Sequence, residues 1–344
     1  MNSSTIIFRA DAGSDSGMGH FMRCLAMAQM LGREYDRSFA LIDANELMKK
    51  TLRANDIALI ELKKDPDKYD SFADEIAKRT IDKKAVLVLD GYPFTNTYQA
   101  RLKKLGLPLV FIDDLVKPEQ IADVIINPSD SVNASDYVHS PNSKVHCGHA
   151  YAMLRKTFFE AAAAFHRELI TSVNSVFVCF GAADPQNVSA RVIRSLAQLP
   201  KNAHIHTVTS KINKNLPSLT DINANNQTFA LHTNLEENEL CELIKKCDLA
   251  ICAPSTIAQE CAAVGIPMLC LLTADNQQGI YDTLVKNGLC TGLGDANQIS
   301  DETLLKEIHE ALADLAKLNE QVLVQKKWYD GKASERIQKI IEVL

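Results

Sequence analysis

Along this chain, short unbroken apolar runs alternate with segments whose apolar residues recur every three or four positions. In the first half, runs at 6–11, 38–43, 57–62, 85–90, 109–113 and 124–127 predict buried strands. Segments 45–54, 68–79 and 94–105 predict helices between several of them, and from Phe21 to Gly32 the residues Met22, Leu25, Ala26, Met27, Met30 and Leu31 share one helical face. Strands that are apolar throughout and separated by helices imply a parallel sheet covered on both sides. The polar stretch 127–149 reads as a long irregular loop, followed by a helical 151–167 and a linker at 170–175. The pattern then starts again. A strand at 176–180 runs into small residues and Pro185, which suits a first helical position. Further strands are predicted at 205–209, 228–232, 249–253 and 268–272, helices at 188–199, 236–246 and 256–264, and a helical stretch over 301–344.

This is an α/β pattern in two halves. It predicts two Rossmann-like domains, 1–170 and 171–344, joined near residue 172, with the last helix packing back on the first domain and a ligand cleft between the two. The length of 344 residues allows two ordinary cores. With 46% apolar and 23% charged residues the chain is globular rather than disordered. A formal charge of −6 does not favour a nucleic-acid or anionic-membrane partner, since either selects a basic face. No apolar run reaches the ~18–20 residues that span a bilayer, and the first segment reads as a strand rather than a signal peptide. The nine cysteines are scattered, with no C-x-x-C pair, and several lie inside apolar strand or helix patterns. That distribution fits reduced core thiols and a cytoplasmic protein. No coiled-coil heptad stands out, so a monomer is expected.

Three segments carry candidate chemistry. The first strand leads into Gly17-Met18-Gly19-His20 and a helix. A Gly loop at a helix start leaves backbone N–H groups and the positive end of the helix dipole open to an anion, and His20 adds a titratable group there. A plain turn between strand and helix fits the same residues. The third Gly of a dinucleotide fingerprint and the G-K-[ST] ending of a P-loop are both missing. The second segment, Ala253-Pro254-Ser255-Thr256-Ile257-Ala258-Gln259-Glu260, places two hydroxyls at a helix start and a carboxylate one turn inside, suited to phosphates and to a ribose respectively. The third is Asn276-Gln277, a polar pair just beyond the strand 268–272. Asp11, Asp90 with Gly91, and Asp113 with Asp114 all lie where strands run out, the edge at which open α/β sheets take ligands. For Asp113-Asp114, loop anchoring is favoured over a divalent metal. His146-Cys147-Gly148-His149 does not place its side chains on one face, so no metal is expected there. His204 and His206 read as sheet-surface residues.

Taken together, Arg9-Ala10-Asp11, Gly17-x-Gly19-His20-x-Met22-Arg23-Cys24, Phe111-Ile112-Asp113-Asp114, Ala122-Asp123 with Asn127-Pro128, and Gly148-x-x-Tyr151-x-x-Leu154-Arg155-x-x-Phe158 form one series. It continues with Phe180-Gly181-x-x-Asp184-Pro185-x-Asn187, Asn234-Leu235 and Ser255-Thr256-x-x-x-Glu260. In this order, over nearly the whole chain, it resembles the UDP-2,4-diacetamido-2,4,6-trideoxy-β-L-altropyranose hydrolases of pseudaminic acid biosynthesis. The resemblance implies a glycosyltransferase-B architecture of the MurG type, UDP held mainly by the C-terminal half, and inverting, metal-independent hydrolysis of the sugar–UDP bond without a cofactor. It implies His20 as the catalytic base, Ser255, Thr256 and Glu260 as nucleotide ligands, Leu235 beside uracil and Arg155 on the substrate side. Gly17, Gly19, Gly181, Asn276 and Gln277 complete the expected binding set, with Asp11 either orienting His20 or touching the sugar. One position departs: a Gly-Gly turn is expected where Gly181-Ala182 stands.

The chemistry is coherent with this. Inversion needs a base that deprotonates water opposite the leaving group, and UDP leaves without an acid. Closure of the halves would exclude bulk water. The expected partners are a UDP-sugar and the UDP product, with neither nucleic acid nor membrane. A glycosyltransferase of the same fold, using a hydroxyl acceptor in place of water, is the alternative reading. In the 45–64 segment the basic residues Lys49, Lys50, Arg53, Lys63 and Lys64 are offset by Glu46, Asp56, Glu61 and Asp65, which leaves no patch for a membrane-bound acceptor.

Overall fold

The computed structural model describes residues 5–10, 18–63, 70–79, 85–116, 119–198, 203–225 and 228–344. The chain divides into a unit made of residues 1–156 with 332–344, and a second unit of 157–331. The sequence pattern places the division near 170, and the side chains explain the difference. Thr157 donates its backbone N–H to Glu237 at 2.7 Å, the Arg167 guanidinium binds the carbonyls of Ile244, Lys245 and Cys247, and Asn319 brackets the backbone of Ile170. Residues 157–170 are thereby tied to the second unit.

The first unit is built on seven parallel strands: β1 (Thr5–Ala10), β2 (Asp36–Ile42), β3 (Ala58–Leu62), β4 (Ala85–Asp90), β5 (Leu109–Ile112), β6 (Val124–Asn127) and β7 (Lys144–Cys147). Their order is β3-β2-β1-β4-β5-β6-β7. All six residues of β4, AVLVLD, are buried, as a central strand covered on both faces requires. One face packs Ile7, Leu87, Leu89, Leu109 and Phe111 against Phe72, Phe94 and Tyr98. Arg9 is buried in β1 with its guanidinium over the rings of Phe72 and Phe94, 5.9 and 5.3 Å from their centroids. β7 lies inside the stretch that reads as a loop; only four residues long and half-exposed at the sheet edge, it has no apolar run to announce it.

The second unit carries six parallel strands: β8 (Ser175–Cys179), β9 (His204–Thr209), β10 (Phe229–Thr233), β11 (Leu249–Cys252), β12 (Met268–Leu272) and β13 (Thr291–Asp295), in the order β10-β9-β8-β11-β12-β13. Both sheets therefore follow the doubly wound order 3-2-1-4-5-6, with one extra strand in the first. β13, TGLGD, is invisible to an apolar-run reading because two of its five residues are glycine. The helical stretch 301–344 is three helices, Asp301–Ala313, Leu315–Trp328 and Ala333–Glu342, and the last belongs to the first unit. Helices Leu216–Asn225 and Gln278–Lys286 have no counterpart in the predicted set.

In each doubly wound sheet the strand order reverses beside the first strand, and loops there splay apart to leave room for a ligand. Those positions are the ends of β1 and β4 in the first unit, and of β8 and β11 in the second.

Candidate active site

In the first unit, His20 is the second residue of the helix Gly19–Leu31 that follows β1, and Asp90 is the last residue of β4. They meet at the switch point. His20 Nδ1 lies 2.7 Å from Asp90 Oδ1, with His20 5% exposed and Asp90 fully buried. Arg23, one turn further along the same helix, clamps Asp90 with both ends of its fork: Nε donates to Oδ2 at 2.7 Å and Nη2 to Oδ1 at 2.6 Å. Its remaining nitrogen, Nη1, donates to Asp114 at 3.0 Å. Burial alone would weaken the guanidinium's hold on its proton; Asp90 and Asp114 together override that and raise its pKa. Arg23 Nη2 also sits 3.4 Å from His20 Nδ1. Two donors side by side are both satisfied only when each directs its hydrogen at Asp90 Oδ1. Nδ1 then carries a proton, and in the neutral ring this tautomer puts the lone pair on Nε2. Tyr92, just past β4, closes the ring edge-on, at 4.7 Å between centroids and 89° between planes.

A second network fixes the loops next to this group. Asp113 Oδ2 accepts from Tyr137 Oη at 2.7 Å and from the Val116 N–H at 2.8 Å, and Tyr137 Oη accepts from Asn127 Nδ2 at 2.8 Å. Asp113 is thus a loop anchor. In the His146–His149 segment the rings go to separate partners, His146 to Tyr151 Oη at 3.1 Å and His149 to Asp130 at 2.7 Å. Arg155 is half-buried immediately before the helix Lys156–Ala164. Gly19 opens its helix, and among the described residues beyond its own helix backbone none has an atom within 4 Å of where a Cβ would stand. Asp11 and Gly17 lie outside the described residues.

In the second unit, the candidate residues cluster at the carboxyl ends of the strands. Ser255 is the N-cap residue of the helix Thr256–Val264, yet its side chain makes no capping bond. The Ser255 carbonyl accepts the Ala258 N–H at 3.0 Å, while its hydroxyl caps none of the first-turn N–H groups, which leaves the Thr256 and Ile257 N–H groups as the ones suited to an anion. Thr256 is exposed beside it, and Glu260, one turn in, is only 2% exposed. On the neighbouring β8 loop, Gly181 holds φ +90°, a conformation glycine adopts freely. Ala182 does not share it, so the departure from Gly-Gly introduces no backbone strain. The left-handed positions fall instead at Asp184 and Asn187. Asp184 is buried and caps the helix Val188–Leu196, its two oxygens accepting from the Val188 and Ser189 N–H groups at 2.9 and 3.0 Å. Leu235 is half-buried just after β10, next to Asn234 with φ +53°. Beyond β12, Asn276 is exposed, whereas Gln277 turns inward and accepts from the Thr273 N–H at 3.0 Å and its hydroxyl at 3.2 Å.

A family model described as UDP-N-acetylglucosamine 2-epimerase matches residues 163–342, more than half of the chain. The chain belongs to that family. The chain is 27% identical over 299 residues to the UDP-2,4-diacetamido-2,4,6-trideoxy-beta-L-altropyranose hydrolase of Campylobacter jejuni, covering 82% of this chain and 97% of that one. The family that the motif series resembles is thus matched by a similarity over most of both proteins. It is also 23% identical over 310 residues to the spore coat polysaccharide biosynthesis protein SpsG of Bacillus subtilis, 88% of each. Among solved structures, MurG of Acinetobacter baumannii superposes with a TM-score of 0.70 at 13% identity, covering 99% of this chain and 100% of that chain. At that identity the likeness shows the fold: two Rossmann-like domains of the glycosyltransferase-B class. Among the described residues no helix is long and apolar enough to cross a membrane.

What motif reading missed in the first unit is the partner set of His20. Arg23 stands in the motif series and Asp90 at a predicted strand end, but nothing in the order of residues pairs position 20 with position 90. Tyr92 carried no signal at all.

Proposed function

We propose that this protein hydrolyses a UDP-linked 2,4-diacetamido-2,4,6-trideoxy sugar to UDP and the free sugar, with inversion at the anomeric carbon, as a step of nonulosonic acid biosynthesis. The observation that carries the reading is the His20–Asp90–Arg23 group, in which Asp90 pairs with Nδ1 and directs the lone pair of a neutral imidazole to Nε2 at a sheet switch point. Nε2 takes a proton from water as the water oxygen attacks the anomeric carbon. The C–O bond to the diphosphate breaks on the opposite face, and its electron pair leaves with UDP. Asp90 stabilises the imidazolium that forms, and the Arg23 clamp holds the carboxylate in place. UDP is assigned to the second unit: phosphates on the open start of the helix Thr256–Val264, with the Gly181 turn nearby, ribose on Glu260, uracil beside Leu235. Asn276 and Arg155 are assigned to the sugar. Gln277, whose side-chain oxygen is spent on Thr273, acts through its backbone and amide group or as a loop anchor. The similarity to the Campylobacter hydrolase supports the substrate class.

The test is incubation of the purified protein with a panel of UDP-sugars, including the diacetamido-trideoxy altrose, with a chelator and no acceptor, followed by NMR of UDP and of the anomeric proton. Release of UDP with an inverted free sugar is expected. Binding without release would overturn hydrolysis and point to a transferase lacking its acceptor, and release of an epimerised UDP-sugar would point to an epimerase.

A further inference from the structure

On the opposite edge of the first unit's sheet from His20 lies a cavity of about 650 Å³ that the proposed reaction does not use. It opens at the amino ends of the strands: Pro108 precedes β5, Val124 begins β6 and Lys144 begins β7. Asp113 and Asp90 mark the other edge, a four-residue strand of roughly 13 Å away. Four basic side chains line the cavity: Lys103, Lys144, Arg336 and Lys339. The single acidic side chain in its wall, Asp123, is fully engaged; it binds Lys103 Nζ at 2.5 and 2.6 Å and accepts the Leu109 N–H at 2.8 Å. Among the described residues no acid pairs with Lys144 or Lys339. A chain of net charge −6 has therefore set two exposed cations, Lys144 and Lys339, beside Arg336 in the wall of one concavity.

The rest of the wall is of another kind. Leu107, Pro108, Ile340 and the Tyr151 ring supply apolar surface. His146 adds a polar ring: burial and the Lys144 charge lower its pKa, and its Nδ1 is held at 3.1 Å from Tyr151 Oη. The helix Ala333–Glu342, which carries Arg336 and Lys339, is fastened rather than loosely laid. Ser334 Oγ and Gln338 Nε2 both donate to the Met30 carbonyl, at 2.6 and 2.9 Å, and Arg336 Nη1 donates to the Ala150 carbonyl at 3.3 Å. Cations, apolar body and a fixed wall together describe a preformed small-molecule site.

We propose that this cavity is a second ligand site, taking a small polyanion with two or more clustered negative charges on a partly apolar body. Lys144 and Lys339 hold the charges, and Leu107, Pro108 and Ile340 cover the body. The volume falls in the range of metabolite sites and is too small for a macromolecular partner. The inference does not depend on the reaction assigned to His20.

The experiment is calorimetric titration of the full chain at low salt with pyrophosphate and, separately, with citrate, each with and without UDP present. The Lys144→Glu/Lys339→Glu double variant is compared with the wild type, and Lys144→Gln/Lys339→Gln serves as a milder version. Binding of either anion that persists with UDP present, and weakens about tenfold or more in both double variants, is expected. Which anion binds distinguishes a phosphate-bearing from a polycarboxylate ligand. Equal binding by wild type and variants, binding abolished by UDP, or no binding of either anion to the wild type would each overturn the proposal. Unchanged melting temperatures keep the comparison one of binding alone.

Discussion

His20 Nδ1 and Asp90 Oδ1 stand 2.7 Å apart, although seventy residues separate them, and the same oxygen also receives Arg23 Nη2 at 2.6 Å. The carboxylate therefore does two things: it selects the histidine tautomer and it neutralises the arginine. Asp90→Asn keeps the shape and removes the charge. The amide presents either a nitrogen that opposes Arg23 and Nδ1–H, or an uncharged oxygen. Turnover is expected to fall by about 10²–10⁴-fold, the usual weight of base catalysis, with KM nearly unchanged. Steady-state kinetics of the variant on the substrate found by the NMR panel checks this. A fall confined to KM would mean that Asp90 binds substrate instead of positioning the base.

The same substitution has a cost in stability. Breaking a buried pair by removing one partner costs up to about 3–5 kcal/mol, less whatever Asp114 retains for Arg23. A urea midpoint lowered for Asp90→Asn, but little changed for Asp114→Asn on the more exposed side, is the expected pattern.

Glu260 is buried on its helix while Ser255 leaves the helix start open. Glu260→Gln preserves volume and removes the charged acceptor. UDP affinity is expected to drop by ~1.5–3 kcal/mol, or roughly ten- to a hundredfold, read by calorimetry. Unchanged affinity would remove Glu260 from the ribose.

How much of this was legible beforehand differs by element. Strands such as β4, buried on both faces, are written as unbroken apolar runs, and so is the duplication of the doubly wound pattern. β7 and β13 were not legible, because an edge strand with half-exposed residues and a strand with two glycines carry no such run. The candidate site divides likewise. His20, Ser255 and Glu260 stand in local motifs whose spacing states their geometry. The Asp90–His20 and Asp113–Tyr137 pairs join distant segments, and only the folded sheet brings them together. Arg9, read as part of an apolar strand, shows the converse: a cation can be buried where aromatic faces receive it.

Three histidines are expected to make the protein acid-sensitive. Burial lowers the pKa of His206 and His232, which lie 3.2 Å apart across β9 and β10, and burial with Lys144 lowers that of His146. Below the ordinary histidine value of about 6.5 the unfolded chain takes up protons that these folded rings refuse, so stability falls as pH falls. Thermal melts at constant ionic strength should show a melting temperature level above pH 7 and declining below 6.5. His206→Phe should flatten the decline.

Thiol chemistry offers another check. Eight of the nine cysteines are buried, and Cys147 is the half-buried exception. Burial and nearby carboxylates also raise the Cys147 pKa, so it is a slow nucleophile at neutral pH. Ellman titration of the native protein should find one slowly reacting thiol and, in denaturant, nine. Several fast thiols would mean that the β8, β11 and β12 region opens readily.

The first unit is completed by residues 332–344, after the whole of 157–331 has intervened. On the ribosome this reverses the usual order of events. At ~5–20 residues per second, roughly 10–35 s pass between the last residue of the main segment and the arrival of the helix that fastens to Met30. The second unit is contiguous and can be finished during that interval, while the back of the His20 helix waits uncovered. The unit that is begun first is thus completed last, and the unit that holds His20 stays unfinished until the helix Ala333–Glu342 emerges.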